Sequence, residues 1–406
     1  MFRHLLTLTW KRKSRNLMLS LEILLAFCIV FAVAAFGLRY WQLWGMPIGF
    51  ESRDLWSVSL HVGDEEKTRI DAATYDSLRR GLAELPEVRG VSFASFEPYA
   101  GSTISTDLHR PGADGGKGRG VRVEMLDADD RLAGVLGLRV VEGRWFSELD
   151  NGSAEGGARP VVINRRMAAA MFPGERALGQ VFTDKDGDQP TVSYRVAGVV
   201  DAYRPKGELS SPVNFVFTRF EAGRNDRDAR TIILRVAPGT ERAFEKRLNS
   251  RLKLIRNDWS YQITPLPALR TSVLKAQMVP LVVVGIIAGF MLLMVAFGLF
   301  GALWQNTTQR IPEIGLRRAV GASAAQIYRQ IVAEQFMLSS VAIVLALALL
   351  VQLPLTQVLG ESMNWTVFAA AAGLSMAVIY LLSLLCALYP GWRASRLSPT
   401  EALHHE

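Results

Sequence analysis

This chain of 406 residues is 50% hydrophobic and 21% charged, which is too apolar for an ordinary water-soluble protein and too charged for one lying wholly in a membrane. We therefore expect membrane spans and a soluble domain in one chain. The formal net charge of +8 does not indicate nucleic-acid binding, because the region from Arg39 to Lys275 holds 35 basic and 32 acidic residues. The two cysteines, Cys28 and Cys386, lie in apolar runs, which excludes a disulfide framework and a cysteine metal site.

The chain begins with a basic segment that gives way to an apolar run. Residues 1–16 carry five basic residues among apolar ones and predict an amphipathic lead-in on the inner membrane face. Residues 17–38 are long enough to span a bilayer and are interrupted only by Glu22, so they predict the first transmembrane helix. A signal peptide is the alternative, with Ala32-Val33-Ala34 as its cleavage site.

Residues 39–276 predict a large α+β domain. The alternation of apolar and polar residues at 56–62 is typical of a half-buried strand. The glycine-rich stretch 110–120 predicts a loop, and Asp184 to Asp188 predict a hairpin turn rather than a calcium loop. Strand, helix and strand at both ends, with a different block between them, predict one subdomain split by another. Further strands are expected at 88–96, 121–126, 160–163, 193–200, 213–217, 231–236 and 260–264, and helices at 71–85, 164–172 and 240–256.

Three more apolar runs predict transmembrane helices at 277–304, 331–358 and 366–390, with a short turn at 359–365 and a cytoplasmic tail at 391–406. Gly285 and Gly289 would let another helix approach the second span closely, although glycine is also simply common in membrane helices. We expect no polar or ionisable side chains inside these three spans. They would then act as levers rather than as a path for polar cargo.

The segment 305–330 lies between two of these spans and predicts a short helix at the membrane surface. Pro312 suits the first helical position, and Glu313 and Arg317 are spaced to pair four residues apart. Gly321 offers a left-handed cap, and Ser323 with Gln326 has the form of a capping box that starts the next helix. An ordinary cytoplasmic loop with positive-inside arginines is the alternative.

Ten contiguous residues of this segment resemble the E-I-G-x-R-x-A-x-G-A signature of the MacB/FtsX-type permeases of ABC transporters. The end of the chain, from Tyr389 to Glu406, resembles that family's closing pattern, Y-P-A-x-x-A-x-x-x-x-P-x-E-A-L-x-x-E. Its one departure is Gly391 in place of alanine, which we expect to matter little. Weaker resemblances to the family's periplasmic core domain lie at 141–146, 161–172, 178–180 and 194–201. The signature residues are Glu313, Ile314, Gly315, Leu316, Arg317, Arg318, Ala319, Val320, Gly321 and Ala322.

The resemblance implies that this signature is a coupling helix that docks on an ATPase. Glu313, Arg317 and Arg318 would make polar contacts with the ATPase, and Ile314 belongs to the same contact segment. Gly315 and Gly321 would allow the close approach and the turn, while Ala319 and Ala322 would pack.

No G-x-x-x-x-G-K-[ST] motif occurs in the sequence, so we expect ATP and Mg²⁺ to be bound by a separate ATPase rather than by this chain. We expect no catalytic residue, cofactor or metal in the chain itself. The five histidines are isolated or lie in the tail, which does not favour a metal site.

The sequence thus predicts an α-helical membrane protein with four transmembrane helices and a large α+β periplasmic domain, in which a porter-like subdomain is split by an inserted one. The resemblance implies a bacterial inner-membrane permease with both termini cytoplasmic, which transmits ATP-driven motion to its periplasmic domain. Its partners would be a cytoplasmic ATPase, a second permease that is identical or paralogous, and the lipid membrane, with no nucleic acid.

Three alternatives stay open at this point. A lipoprotein-releasing permease would also bind acylated protein and a periplasmic chaperone or adaptor. An FtsX-like regulator would activate a cell-wall hydrolase, although the large two-part domain does not favour this role. A membrane-anchored sensor without an ATPase would need a cytoplasmic output domain, and no predicted cytoplasmic segment is long enough for one.

Overall fold

A computed structural model describes residues 13–63, 69–101, 103–111, 117–147, 150, 157–184, 192–222, 228–356, 358 and 363–396. Most of the predicted lead-in and the last ten residues of the tail lie outside these ranges. The chain divides into two compact units, one made of Met1–Gln42 with Met278–Glu406 and the other of Leu43–Gln277.

The helices are numbered here in chain order. They are α1 (Lys13–Trp44), α2 (Ala72–Ala83), α3 (Leu132–Leu136), α4 (Arg165–Met171), α5 (Phe244–Ile255), α6 (Leu266–Gln309), α7 (Ile311–Ala319), α8 (Ala324–Leu350), α9 (Gln352–Thr356) and α10 (Trp365–Arg396).

The strands are numbered in the same way. They are β1 (Leu55–His61), β2 (Val88–Ala94), β3 (Ile104–Pro111), β4 (Lys117–Ala128), β5 (Val140–Gly143), β6 (Arg159–Asn164), β7 (Val181–Asp184), β8 (Val192–Val200), β9 (Phe215–Arg219), β10 (Thr231–Val236) and β11 (Ser260–Pro265).

Within the described residues, four helical segments are long and apolar enough to cross a membrane, which is the predicted number: Leu19–Trp44, Leu266–Gln309, Ala324–Thr356 and Trp365–Ala394. The chain is therefore a membrane protein. Helices α1 and α6 extend beyond the apolar runs, to Trp44 and back to Leu266, because hydropathy marks the part of a helix that suits lipid and not the place where the helix ends. The third predicted span is not one continuous helix, since α8 ends at Leu350 and the short α9 follows.

The helices of the membrane unit share one apolar core. Each of α1, α8 and α10 contributes both large and small side chains to it, and Phe31 contacts Phe368 edge to face with ring centroids 5.4 Å apart. Close packing of small against large residues is what brings membrane helices together in the absence of water. The fully buried members include Ile23, Phe27, Phe31, Val295, Leu299, Ala342, Ile343, Ala371 and Ala387.

The expectation that the last three spans carry no polar side chains is wrong. The hydroxyls of Ser339 in α8 and Ser383 in α10 are fully buried and lie 2.7 Å apart. The next residue of α8, Ser340, places its Oγ 2.9 Å from the hydroxyl of Tyr380 in α10. These hydroxyls satisfy one another, so the polar groups fasten α8 to α10 instead of facing a polar path.

The second unit contains the predicted split subdomain. Strands β11, β1, β10 and β2 lie side by side in that order, all antiparallel, with α2 connecting β1 to β2 and α5 connecting β10 to β11. This is the arrangement of the ferredoxin-like β-α-β-β-α-β motif. Its two halves are separated in sequence by residues 95–230, and one core that includes Trp56, Tyr75, Phe93 and Phe244 unites them.

The inserted part closes on itself. Strands β4, β3, β7, β8, β6 and β9 pair in that order, and β9 then pairs in parallel with β4, so the six strands form a ring; β5 adds to β8 outside it. The core inside includes Leu108, Phe172, Phe182 and Tyr194. The ring joins the split subdomain where Ala94 of β2 lies opposite Ala128 of β4.

The predicted loop at 110–120 is wrong at both ends, because β3 continues to Pro111 and β4 begins at Lys117. His109 lies opposite Gly120, where a Cβ would stand 2.9 Å from the imidazole Nε2, so glycine here makes room for a cross-strand ring. Strands β3, β5 and β7 and helix α3 are also absent from the sequence-based interpretation. Strands β7 and β8 pair with Asp184 opposite Val192, as a hairpin requires, while Asp186 and Asp188 lie outside the described residues.

Candidate functional site

The predicted surface helix is present as α7, and the signals at its ends act as expected. The backbone of Gly321 has φ +105°, which a residue with a Cβ adopts only with strain. Ser323 Oγ then accepts from the amide of Gln326 at 3.3 Å, and Gln326 Oε1 accepts from the amide of Ser323 at 2.9 Å. This reciprocal pair is the predicted capping box at the start of α8. Pro312 is the second helical residue and not the first. The second position also needs no backbone N–H, because the N–H groups of the first turn have no intrahelical acceptor.

One face of α7 is fixed to the rest of the membrane unit by apolar contact. Ile314 is buried against Ile327 and Ile331 of α8 and Ala394 of α10. Gly315 beside it is also buried. Ile314 and Gly315 therefore anchor the helix within this chain, and their side of α7 is not available to a partner.

A chain of hydrogen bonds, which we call the basal network, ties α7 to α8. Arg317 donates through Nη2 to Glu313 Oε1 at 2.6 Å and through Nη1 to Gln330 Oε1 at 2.6 Å. Gln330 Nε2 donates to Glu334 Oε1 at 3.0 Å, and the other oxygen of Glu334 accepts from Arg310 Nη1 at 2.7 Å. The predicted pairing of Glu313 with Arg317 is present, and Arg317 is also engaged within the chain.

The sequence-based interpretation did not include Arg310, Gln330 and Glu334 in this site. The four-residue spacing of Gln330 and Glu334 was one available signal, because it places both side chains on one helix face. The other was the position of Glu334 at the edge of an apolar run, where a carboxylate needs a partner.

The outward face of α7 carries an apolar strip made of Pro312, Leu316 and Val320, of which Val320 directly follows the last helical residue, Ala319. Leu316 is 61% exposed and Val320 83% exposed, and Glu313 lies beside them. Exposed apolar side chains at four-residue spacing, flanked by charges, are typical of a helix face that binds another protein. The strip was also missed, although its spacing is visible in the sequence.

The remaining predicted coupling residues are placed differently from one another. Ala319 is exposed and Ala322 is half-buried, so Ala319 does not pack within this chain. The side chain of Arg318 lies outside the described part of the structure. The predicted role of these three residues at an ATPase stays a prediction.

Gly285 and Gly289 lie in α6, where Gly285 is partly buried and Gly289 is exposed. A Cβ at either residue would meet nothing within 4 Å. The close approach of a helix at this pair therefore does not occur within the chain and stays a prediction for a partner.

The glycine at 391, where the family's closing pattern has alanine, matters for packing, contrary to the expectation from the sequence. It is buried in α10, and a Cβ there would stand 2.9 Å from Tyr328 Cδ2. Next to it, the guanidinium of Arg393 lies 4.4 Å from the ring centroid of Trp304, which in turn stacks on Tyr389 at 5.9 Å. An aromatic and cationic layer of this kind is usual at a membrane boundary.

Two of the motifs quoted for the α/β domain have clear structural roles. In the stretch at 141–146, Arg144 donates to both oxygens of Asp150 at 2.6 Å, and this hydrogen-bonded guanidinium lowers the pKa of the Asp150 carboxyl. In the stretch at 161–172, Asn164 Oδ1 accepts from the amides of Met167 at 2.9 Å and Phe215 at 3.1 Å. Asn164 thus caps α4 and fastens it to β9.

Comparison with known families agrees with this architecture. The MacB-like periplasmic core domain matches residues 23–251, more than half of the chain, and the FtsX-like permease C-terminal domain matches residues 285–399.

Individual relatives are distant. The pyoverdine export ATP-binding/permease protein PvdT of Pseudomonas savastanoi pv. phaseolicola is 29% identical over 290 residues, which cover 68% of this chain and 42% of that protein. The macrolide export ATP-binding/permease protein MacB of Bdellovibrio bacteriovorus is 27% identical over 278 residues, which cover 65% of this chain and 41% of that protein. The chain thus spans about two fifths of the length of these relatives.

The uncharacterized ABC transporter permease YknZ of Bacillus subtilis is 24% identical over 290 residues, covering 68% of this chain and 69% of that protein. Among solved structures, the periplasmic region of MacB from Actinobacillus actinomycetemcomitans aligns over 55% of this chain and 94% of its own, with 14% identity and a TM-score of 0.38. With both domain families matched in order along one sequence, the chain belongs to the family of ABC transporter permeases that combine a MacB-like periplasmic core domain with an FtsX-like permease domain.

Proposed function

We propose that this chain is a permease subunit onto which a separate cytoplasmic ATPase docks through the outward face of α7. The observation that carries the proposal is the apolar strip of Pro312, Leu316 and Val320 beside Glu313, on a helix whose opposite face is anchored by Ile314. A helix that is held on one side and exposes apolar and charged groups on the other is suited to receive a push or pull from a partner.

Several further elements of the proposal follow from the family. ATP and Mg²⁺ bind to the ATPase, and a second permease, identical or paralogous, completes the complex. The protein lies in the bacterial inner membrane with α7 and both termini in the cytoplasm and the MacB-like domain in the periplasm. The arginines around α7, Arg310, Arg317 and Arg318, support this orientation through the positive-inside rule.

In this scheme the chain performs mechanical work and no covalent chemistry. Closure of the ATPases displaces α7, and the basal network passes the displacement to α8, because Arg317 and Arg310 are bonded to Gln330 and Glu334. The apolar contact of Ile314 with Ala394 passes it to α10 as well. The periplasmic domain then acts on a substrate in the periplasm or the outer leaflet, which it exports or extracts. Relatives named for pyoverdine and macrolide export support export as the direction of transport.

The proposal is tested by capture of partners from detergent-solubilised membranes with a tag on this chain. We expect a soluble ATPase to be recovered with the wild type and lost with Glu313→Lys, which places a cation beside Arg317, and with Leu316→Asp, which puts a charge into the apolar strip. Insertion into the membrane should be unchanged in both variants. The matched control is Glu241→Lys, the same charge change on an exposed residue of the α/β domain.

In membranes where the ATPase is retained by cross-linking, Glu313→Lys should also uncouple ATP hydrolysis from function. Intact extraction of the wild type without any ATPase, even after cross-linking, would overturn the proposal. If Glu241→Lys also abolished recovery of the ATPase, the loss would not be specific to α7, and the assignment of α7 as the docking site would be wrong.

A further inference from the structure

Residues 201–211 form most of the connection from β8 to β9, and their contacts reach parts of the chain that are distant in sequence. We call them the hub loop. The loop touches four different parts of the second unit: the end of α1, the start of α6, the split subdomain and the inserted ring. Its bonds to the first two parts come from Arg204, Glu208 and Ser210.

Arg204 holds the end of α1. It is 3% exposed, and its Nη1 donates to the carbonyls of Leu43 and Met46, each at 3.0 Å. Its Nη2 donates within the loop to the carbonyls of Glu208 at 2.5 Å and Ser210 at 2.7 Å. A planar guanidinium can serve four carbonyls at once, which no other side chain can do.

The backbone reinforces this attachment. The amide of Arg204 donates to the carbonyl of Ile48 at 2.9 Å. Gly49, at φ +86°, lies so close to the loop that a Cβ would stand 1.8 Å from the carbonyl oxygen of Ala202. The backbone of the segment that follows α1 therefore packs directly against the backbone of the hub loop, and the hydrogen bond to Ile48 fixes its position along the loop.

Glu208 and Ser210 hold the start of α6. Arg270 Nε donates to Glu208 Oε1 at 2.5 Å, and Gln277 Nε2 donates to Ser210 Oγ at 2.9 Å. Glu208 is 7% exposed, so the loss of Arg270 would leave a carboxylate buried without its cation.

The same loop is fastened to both parts of the α/β domain. Lys206 forms an ion pair with Glu124 of β4, in the inserted ring. The carbonyl of Pro205 accepts from the amide of Tyr99, which follows β2 of the split subdomain, at 2.6 Å. Tyr99 is buried and has φ +68°, a strained backbone conformation that is retained only where the surroundings enforce it.

We propose that the hub loop is the joint through which displacement of α1 and α6 reaches both parts of the α/β domain, with Arg204 positioning α1 and Glu208 positioning α6. These two helices contain the first two candidate spans. Neither Leu43 at the end of α1 nor the first residues of α6, up to Gln277, can shift without moving the loop or breaking hydrogen bonds to a buried charge. The contacts define the joint by themselves, while the source of the displacement rests on the proposed function.

The joint is tested by hydrogen exchange on the full chain in lipid nanodiscs. In Arg204→Met, amide exchange at 43–50 should rise on the order of tenfold, with little change at 266–277 and in β10. In Glu208→Gln the rise should appear at 266–277 and not at 43–50. Arg204→Lys should recover part of the protection. The control is Arg176→Ala, whose arginine side chain is 74% exposed and pairs only loosely with Glu142 at 3.8 Å.

A purely structural role predicts a different result, since exchange would then rise throughout the domain, including β10 in its centre. That outcome, or unchanged exchange at 43–50 in Arg204→Met, would overturn the proposal.

A second measurement separates the joint from the ATPase. With the captured ATPase and a non-hydrolysable ATP analogue, the wild type should change exchange at 43–50 and in β1 and β10. Arg204→Met should still capture the ATPase but lose the response in β1 and β10, and a retained response would also overturn the joint. If the wild type captures no ATPase, the proposed function fails while the first measurement still decides the joint.

Discussion

Tyr328 of α8 fills the space that an alanine side chain at residue 391 of α10 would need. A Cβ there would stand 2.9 Å from Cδ2 and 3.0 Å from Cε2 of the ring, well inside van der Waals contact. The glycine at 391 and the tyrosine at 328 are thus fitted to each other. Overfilling of a packed site costs about 1–3 kcal/mol when neighbours have to move.

We therefore expect Gly391→Ala to destabilise the α8–α10 contact by about that amount, seen as a lower midpoint of thermal unfolding in detergent. Replacement of the ring as well, in Tyr328→Leu with Gly391→Ala, should recover most of the loss. Gly373→Ala is the matched control on the same helix, because nothing lies within 4 Å of its Cβ position. Equal effects of the 373 and 391 substitutions would contradict the steric explanation.

Glu334 should contribute more than Glu313 to holding α7 in place. Glu334 and Arg310 are both less than a quarter exposed, whereas Glu313 and Arg317 are 49% and 39% exposed. A half-buried charged hydrogen bond stabilises by about 1–3 kcal/mol and an exposed helical pair by about 0.3–0.5 kcal/mol. Glu334→Gln should therefore raise amide exchange at 311–319 clearly, and Glu313→Gln only slightly. The reverse order would show that the basal network does not fix α7.

The capping box at the start of α8 gives a third prediction. Ser323→Ala removes the acceptor for the Gln326 amide and should cost about 1 kcal/mol of local helix stability. Hydrogen exchange at 324–327 should report the loss, and Ser323→Asp should restore most of the protection. Since the two bonds of the box are reciprocal, Ser323→Ala with Gln326→Ala should cost less than the sum of the two single changes.

The pair of Arg144 and Asp150 predicts a pH dependence. Hydrogen bonds from Arg144 lower the pKa of Asp150 below its unfolded value of 3.8, so the pair stabilises the folded state above that pH. This stabilisation is lost as the pH falls through the lowered pKa. Arg144 is 53% exposed, so the contribution at neutral pH is at most about 1 kcal/mol.

Thermal unfolding of the wild type and Arg144→Met should accordingly differ most at pH 7. The difference should shrink as the pH is lowered through 3.8 and below. A difference that stays constant over this range would mean that the variant acts through packing and not through the Asp150 carboxylate. Arg176→Met serves as the control for removal of an arginine charge from the same domain.

Local signals in the sequence were sufficient for the ends of α7 and for all four strands of the split subdomain. Gly321, the Ser323 and Gln326 pair and the alternation at 56–62 each act within a few residues, so their effect can be predicted without the fold. The strands β3, β5 and β7 and the glycine-rich start of β4 carry weak signals of this kind. They form strands because their neighbours in the ring pair with them.

Features that depend on long-range contacts were not predictable from local patterns. The parallel pairing of β4 with β9, the bond between Ser339 and Ser383 and the contact of Tyr328 with Gly391 each join segments more than 40 residues apart. In the spans, the mean hydropathy of a long apolar run does not reveal single serines. Their role depends on a hydroxyl of the facing helix, as with Ser339 and Ser383. Leu316 and Val320 are a different case from these long-range contacts. Their four-residue spacing can be read in the sequence, but their exposure is known only from the structure.

The interrupted arrangement of the split subdomain also determines when it can fold during synthesis. Strand β2 ends at Ala94, but its partner β10 begins at Thr231, after every strand of the inserted ring has left the ribosome. Since domains generally fold as their residues emerge, the ring can assemble first, and the apolar edge of β2 then stays unpaired for the time needed to make about 140 further residues. A mutation that slows closure of the ring would lengthen that interval and promote aggregation through β2, although β2 itself is unchanged.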